Sequence, residues 1–131
     1  MIRTVVLTVA ALLVALSSNA EARQRHRVEA QILPHPPGCP SRAFCGCGAA
    51  VRVFGTPVRS LWLAAAWLRF PRTSPAPGMV AARRGHVMVL EADLGGGVWQ
   101  VYDANSGNRK TRRHARSIAG YVIVNPHGRA A

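Results

Sequence analysis

The fold class is decided by residues 79–92, MVAARRGHVMVLEA. Two short apolar segments, residues 79–82 and 86–92, are separated here by an Arg-Arg-Gly turn. Segments of this kind, rich in β-branched residues and bounded by turn residues, predict antiparallel strands joined by a hairpin. The hairpin places His86 at the start of the second strand, at an edge of the predicted sheet.

Two further segments extend the predicted sheet toward the C-terminus. Residues 98–102 and 120–124 are again short and rich in β-branched side chains. A glycine triplet at 95–97 precedes the first of them, and a long polar stretch, residues 103–117, separates the two. Together the four segments predict an antiparallel meander.

The N-terminal half is expected to contain helices. Apolar residues recur on one side of residues 60–70, with Ser60 as the N-cap and Pro71 as the stop signal. In residues 43–54 the glycines and a β-branched valine leave helix and strand open on periodicity alone. Helical segments followed by a run of strands predict an α+β fold with helices and sheet in separate layers.

Positive charge is the strongest feature of the composition. The 131 residues include 17 lysines and arginines against 5 aspartates and glutamates, which gives a net charge of +12. A hydrophobic fraction of 49% is too high for a wholly disordered chain, and the length allows one compact domain. The excess charge indicates an anionic partner such as nucleic acid, anionic lipid or cell-wall polymer.

The N-terminus has the pattern of a secretory signal peptide. A basic start at residues 1–3 is followed by an apolar run at 4–16 and by Ala20-Glu21-Ala22, an A-x-A cleavage site. The apolar run is shorter than the ~20 residues that span a bilayer. We therefore expect cleavage near Ala22 and export to the periplasm or the medium.

Three parts of the chain are expected from this pattern. Residues 1–22 are the signal peptide, and residues 23–42, rich in proline and arginine, are an extended basic arm. Residues 43–131 are the folded α+β domain. Outside the cytoplasm the three cysteines of the chain are open to oxidation.

The folded part contains residues suited to nucleophilic catalysis. If Cys45 starts a helix, the unpaired N–H groups and the helix dipole stabilise a thiolate and receive an oxyanion. His86 is the base that such a thiol needs. Asn105 or Asp103, near the end of the following strand, is placed to hydrogen-bond the second ring nitrogen of His86.

The order of these residues resembles the CHAP and NlpC-type cysteine peptidases and amidases, which are small papain-like proteins that cleave peptidoglycan peptides. The motifs are Phe44-Cys45-Gly46-Cys47, Pro77-Gly78-Met79-Val80 and Gly85-His86-Val87, followed by Asn105. The resemblance covers residues 43–126. It implies a papain-like α+β fold with N-terminal helices packed on an antiparallel meander, and Cys45, His86 and Asn105 as the catalytic residues.

The resemblance also bears on the other cysteines. Cys47 is the alternative nucleophile, because it belongs to the same motif as Cys45. Cys39 is left over, and with Cys47 it is suited to a disulfide that ties the arm to the active-site turn. Gly48 and Ala49 stand where the family has bulkier packing residues, so we expect the catalytic helix to be less firmly anchored.

The function implied by the resemblance is an exported, cysteine-dependent amidase or endopeptidase that acts on cell-wall peptide bonds. His86 takes the thiol proton of Cys45, the thiolate attacks an amide carbonyl, and His86 then protonates the leaving amine. Asn105 orients His86, with Asp103 as the alternative. We expect no cofactor and a monomer. The alternative function is a non-catalytic, cationic envelope-binding module with the same fold.

A basic run follows the third predicted strand. Its members Arg109, Lys110, Arg112, Arg113 and Arg116 are expected to lie in a loop and to bind anionic groups of peptidoglycan, lipopolysaccharide or a membrane surface. Nucleic acid is a less suitable partner, because export separates the chain from the genome and no aromatic residue is interleaved with the arginines.

Zinc is the one metal that the sequence raises. His35, Cys39, Cys45 and Cys47 are four potential ligands close together in the chain. Their spacing does not match paired C-x-x-C knuckles, and an oxidising compartment disfavours thiolate sites. We therefore expect no metal site.

Overall fold

The structure, a computed structural model, describes residues 29–129. Within these residues the backbone forms a six-stranded antiparallel sheet. Its strands are β1 (Gln31–Leu33), β2 (Val80–Arg83), β3 (His86–Gly95), β4 (Val98–Asp103), β5 (Thr111–Ser117) and β6 (Val122–Val124). The order across the sheet is β1-β5-β4-β3-β2-β6, so β2 to β5 follow one another as hairpins. The predicted signal peptide, residues 1–22, lies outside the described residues.

Helical structure is short in this part of the chain. It consists of α1 (Cys45–Phe54) and two 3-10 helices, Arg59–Leu61 and Ala64–Arg69. Among residues 29–129 there is no helix with the length and apolar character needed to cross a membrane. The segment that periodicity left open between helix and strand is therefore the one α-helix described.

The predicted fold, a papain-like α+β layout with N-terminal helices packed on an antiparallel meander, is wrong. The structure is mainly the six-stranded sheet, and its helical part is limited to α1 and the two 3-10 helices. Two segments account for the difference. Residues 60–70 do not form the predicted α-helix, and residues 111–117 form a strand where a loop was predicted.

Residues 60–70 do not form an α-helix because the backbone is extended at Leu63, with φ −79° and ψ 128°. The buried indole of Trp67 donates a hydrogen bond to the carbonyl of Leu61 at 2.9 Å. An α-helix would use that carbonyl for the N–H four residues later. The bend thus gives the buried indole N–H a hydrogen-bond acceptor. Ser60, the predicted N-cap, lies inside the first 3-10 helix and does not cap an α-helix.

The basic stretch forms a strand because it is paired on both sides. β5 pairs with six residues of β4 and with three residues of β1. Since β1 belongs to the segment predicted as an extended arm, the arm supplies an edge strand of the sheet. An ordinary strand places an apolar side chain at every second position, but β5 places Arg112, His114 and Arg116 there. Hydrophobic periodicity therefore does not predict this strand.

The core consists of two apolar clusters on opposite faces of the sheet. Val87 and Val89 of β3 belong to the first cluster, which also contains Trp67 and most of the buried part of α1. Met88 and Leu90, the alternate residues of β3, belong to the second. Consecutive residues of a strand point to opposite faces. The second cluster therefore lies on the face of the sheet away from α1.

Candidate active site

Cys45 is the first residue of α1. The preceding Phe44 is fully buried, and its ring packs edge-on against the ring of His35, with the centroids 4.5 Å apart. Helical hydrogen bonding begins at Gly48, whose N–H donates to the carbonyl of Phe44 at 2.8 Å. The N–H groups before Gly48 therefore have no partner inside the helix, which is the arrangement that stabilises a negative charge.

Two glycines seat the start of α1 against its neighbours. A Cβ at Gly46 would overlap the backbone carbonyls of Leu61 and Trp62, and a Cβ at Gly48 would overlap the Cβ of Ala104. The helix therefore approaches the first 3-10 helix and the end of β4 more closely than any other residue type permits. Close backbone contact therefore anchors the start of a helix that we expected to be less firmly anchored for lack of bulky packing residues.

The three cysteines divide into one disulfide and one free thiol. Cys39 and Cys47 are joined, and Cys45 is free and only 7% exposed. A sulfur in a disulfide is not available as a nucleophile, so the thiol in this site is that of Cys45 and not that of Cys47. The disulfide ties the segment that follows β1 to the first turn of α1.

His86 connects the thiol to a buried carboxylate. The ring lies at the start of β3, and its Nε2 donates a hydrogen bond to Oδ1 of Asp103 at 2.5 Å. Cys45 lies near enough to the ring to raise the pKa of His86, as Asp103 does. Since Nε2 is engaged by Asp103, Nδ1 is the nitrogen left for the thiol.

The pKa of His86 is raised to about 9. Burial of the ring lowers this pKa, but the hydrogen bonds to Asp103 and Cys45 and the negative charge of both groups outweigh the burial. At neutral pH the ring therefore holds a proton. The charged ring therefore forms an ion pair with the buried carboxylate of Asp103.

Asp103, the last residue of β4, is fully buried and has three partners. Its Oδ1 accepts from His86, and its Oδ2 accepts from Nε2 of His114 at 2.7 Å and from Arg116 at 2.8 Å. Burial raises the pKa of Asp103, but the hydrogen bonds from both histidines and the charges of His86 and Arg116 lower it below its usual value. The carboxylate is therefore charged wherever the site is folded near neutral pH.

Asn105, the predicted orienting residue, does not occupy that position. Within residues 29–129 the carboxylate that contacts His86 belongs to Asp103, and no hydrogen bond joins Asn105 to His86. Asn105 lies in the turn after β4 with a left-handed backbone, φ 55°. The orienting group is instead Asp103, the alternative from the sequence, because β4 runs one residue further than predicted.

The basic run is used largely inside the molecule. Arg112 donates to the backbone carbonyls of Ser106 and Gly107, Arg113 donates to Glu91, and Arg116 donates to Asp103. Three of the five predicted anion-binding side chains therefore hold the protein together.

Arg109 and Lys110 are the two members of the run left to the surface. They are exposed and form no ion pair with the described residues. Any anion binding by the basic run would therefore depend on these two side chains.

His114 is the functional residue that the sequence interpretation missed. It faces Val101 across the β4–β5 pairing, and Arg116 faces Trp99. Both therefore lie on the face of the second cluster, next to Asp103. The sequence feature that could have identified His114 is its spacing. Arg112, His114 and Arg116 recur at every second residue, which is the period of a strand.

A cleft lies at the C-terminal end of α1. It has a volume of about 420 Å³ and is lined by Phe54, Val58, Ser60, Leu61, Ala66, Arg69, Phe70 and Pro126. Phe54 ends α1, whereas Cys45 begins it, and ten helical residues span about 15 Å. Neither Cys45 nor His86 lines the cleft, although Leu61, which does, lies against the backbone at Gly46.

No metal cluster is present in the described part of the chain. Residues 29–129 contain no group of three or more His, Cys, Asp or Glu side chains arranged to hold a metal ion. Two of the four potential zinc ligands, Cys39 and Cys47, are joined in the disulfide. The donor set at the chain's cysteines therefore does not fit zinc.

Comparison with known proteins adds no identification. No family model matches the chain, and no curated protein and no solved structure is similar to it.

Proposed function

We propose that the chain is a cysteine-dependent hydrolase, an amidase or endopeptidase, in which Cys45, His86 and Asp103 act together. One observation carries the proposal: His86 interacts with the free thiol of Cys45 while its Nε2 is held by a buried carboxylate. A nucleophile, a base and a group that orients the base are the parts that acyl transfer requires.

The first half of the reaction forms a thioester. The imidazolium of His86 stabilises the thiolate of Cys45, and the sulfur attacks the carbonyl carbon of an amide. A C–S bond forms, and the carbonyl electrons move to oxygen. The N–H groups of the first turn of α1, which have no partner inside the helix, are suited to stabilise that oxyanion.

The second half releases the products. His86 gives its proton to the leaving nitrogen as the C–N bond breaks, and Asp103 keeps the ring oriented. The neutral ring then takes a proton from water, whose oxygen attacks the thioester. The acid product departs, the sulfur leaves as thiolate, and His86 is again protonated. A ring with a pKa of about 9 holds the proton for the leaving group at neutral pH.

We further propose an exported monomer that acts on peptide bonds of the cell wall. The signal-peptide pattern of residues 1–22 supports export, and the disulfide is compatible with an oxidising compartment. The Cys45–His86 order and the motifs around both residues support the likeness to CHAP and NlpC-type cysteine peptidases. This likeness concerns the site and does not extend to the helical layout.

A non-catalytic cationic module that binds envelope polymer is the second candidate. The observation that favours it is the excess of basic side chains. Glu91 and Asp103 are both engaged by arginines inside the structure, whereas Arg109 and Lys110 are exposed without ion pairs among the described residues. Such charges suit an anionic polymer whether or not the thiol is reactive.

Thiol labelling and peptidoglycan digestion test the proposal together. The disulfide-intact mature protein is treated with a carbonyl-directed electrophilic probe and, separately, with purified peptidoglycan. We expect labelling at Cys45 and peptide release by the wild type, and neither by Cys45→Ala or His86→Ala. Release by Cys45→Ala at the wild-type rate would rule out the hydrolase. Absence of labelling together with salt-sensitive polymer binding would favour the module.

A further inference from the structure

Arg83 lies directly beside the candidate base. It is the last residue of β2 and is the register partner of His86 in the β2–β3 hairpin. Partners across antiparallel strands point to the same face, with Cβ atoms about 5 Å apart. The exposed Arg83 side chain therefore starts next to His86, on the face that also carries Asp103.

The guanidinium of Arg83 is held in place by Tyr121. It lies over the tyrosine ring, 4.6 Å from the ring centroid. The hydroxyl of Tyr121 accepts a hydrogen bond from Arg116 at 3.4 Å, and Arg116 in turn donates to Asp103. A continuous set of contacts thus links Arg83 to the carboxylate that orients His86.

Arg83 has no carboxylate partner in residues 29–129. Asp103 is fully buried and already has three donors, and Glu91 pairs with Arg52 and Arg113 on the other face of the sheet. Stacking on an aromatic ring leaves the edge of a guanidinium, with its N–H donors, free for an anion. The positioned cation beside the site therefore lacks an anion.

We propose that Arg83 is the binding site for a carboxylate of the substrate. The inference rests on the proposed function and specifies its substrate class, a peptide with a free carboxylate close to the scissile amide. A planar guanidinium binds a carboxylate through two parallel hydrogen bonds. Because Arg83 is the register partner of His86, that carboxylate lies close to the bond that is cut.

Alkylation of Cys45 tests the site without any turnover. Iodoacetate and iodoacetamide differ in the carboxylate, so the ratio of their rates cancels the reactivity of the thiol itself. We expect Arg83→Gln to lower the iodoacetate-to-iodoacetamide ratio about three- to fivefold. Arg83→Lys, which keeps the charge but loses the paired donors, should fall in between.

Arg84→Gln is the matched control. Arg84 is the exposed neighbour of Arg83 in the same turn, and the substitution removes the same charge from the chain. We expect this variant to keep the wild-type ratio within about 1.5-fold. An equal fall in both variants, or no fall in Arg83→Gln, would overturn the carboxylate site. Near-UV circular dichroism of each variant confirms that the comparison is made on folded protein.

Peptidoglycan fragments separate this inference from the proposed function. Fragments with free carboxylates are compared with the same fragments after amidation. We expect Arg83→Gln to raise KM about tenfold on the free acids, with kcat little changed and the amidated fragments unaffected. Cys45-dependent cleavage that ignores Arg83 overturns the carboxylate site alone. An alkylation ratio that depends on Arg83 without cleavage of any fragment overturns the hydrolase alone.

Discussion

His86 and Asp103 are joined by a hydrogen bond of 2.5 Å between Nε2 and Oδ1, and the carboxylate is fully buried. The pair connects the ends of two neighbouring strands, since His86 begins β3 and Asp103 ends β4. The same carboxylate accepts hydrogen bonds from His114 and Arg116 of β5 through its other oxygen. One side chain therefore orients the candidate base and also fixes three strands to one another.

Replacing Asp103 with Asn should damage both stability and reactivity. The amide keeps the size of the carboxylate but leaves His86, His114 and Arg116 around a neutral group. We expect a loss of about 3 kcal/mol in the free energy of unfolding, because the half-buried His86 and Arg116 lose their buried counter-ion. The pKa of His86 should fall, since Asp103 raises it. Urea unfolding and NMR titration of the ring measure the two effects, and an unchanged ring pKa would contradict the assignment.

The stability of the protein should depend on pH through the same pair. The pKa of His86 is about 9 when folded and 6.5 as a free side chain, so the folded state holds the proton more tightly. Its contribution, up to about 3 kcal/mol, is fully present below pH 6.5 and is lost as the pH rises through 9.

Asp103 acts in the opposite sense at low pH. Its pKa is lowered on folding, so its contribution is present above 3.8 and is lost as the pH falls through the lower folded pKa. Urea unfolding between pH 3 and 10 should therefore show greatest stability at about pH 4–6.5. The variant His86→Gln should lack the decline above pH 6.5, and a decline of the same size in this variant would assign it to another group.

The substitution Gly48→Ala should displace the start of α1. The added Cβ would overlap the Cβ of Ala104. This overlap is relieved only if the start of α1 or the turn after β4 shifts. We expect a loss of about 1–3 kcal/mol and slower alkylation of Cys45. The double variant Gly48→Ala/Ala104→Gly removes the overlap and should recover most of both. Gly85→Ala, where the space is open, is the control for the effect of an added methyl group.

Breaking the disulfide should destabilise the protein without removing the nucleophile. Cys39 and Cys47 are eight residues apart in the chain, and closing a loop of this size is worth about 2–3 kcal/mol in the chain-entropy model. The variant Cys39→Ser/Cys47→Ser should lose about this much and still be labelled at Cys45. Loss of labelling while the variant remains folded would show that the disulfide also positions the thiol.

Apolar periodicity predicted part of the fold. β2, β3, β4 and β6 overlap the four segments identified from the sequence, because each presents ordinary apolar residues to the core. The helix at 60–70 was wrong because a buried indole finds its acceptor in a bent chain, which a helical pattern does not encode. β5 was missed because it is built from charged residues, whereas β1 lies in residues 28–33 of the arm, whose sequence is compatible with a short strand.

The site was predictable in its members but not in its geometry. Cys45 and His86 follow from residue type and chain order, and the structure brings them together. The third member differs because strand length decides which residue faces the ring, and β4 ends at Asp103, before Asn105. His114 and Arg116 contact Asp103 because residues 111–117 form β5. The apolar pattern of the sequence did not predict this strand, so it did not predict these contacts.

The charged strand β5 determines its own alignment. Arg113 points to Glu91 on one face of the sheet, whereas His114 and Arg116 point to Asp103 on the other. A slip of one residue against β4 would exchange the two faces and bring the wrong side chains to each carboxylate. Neighbouring strands set their register by apolar alternation, but this strand sets it by electrostatic pairing. A misaligned β5 would separate Glu91 from Arg113, and Asp103 from His114 and Arg116, and would leave Arg52 and His86 as their remaining partners.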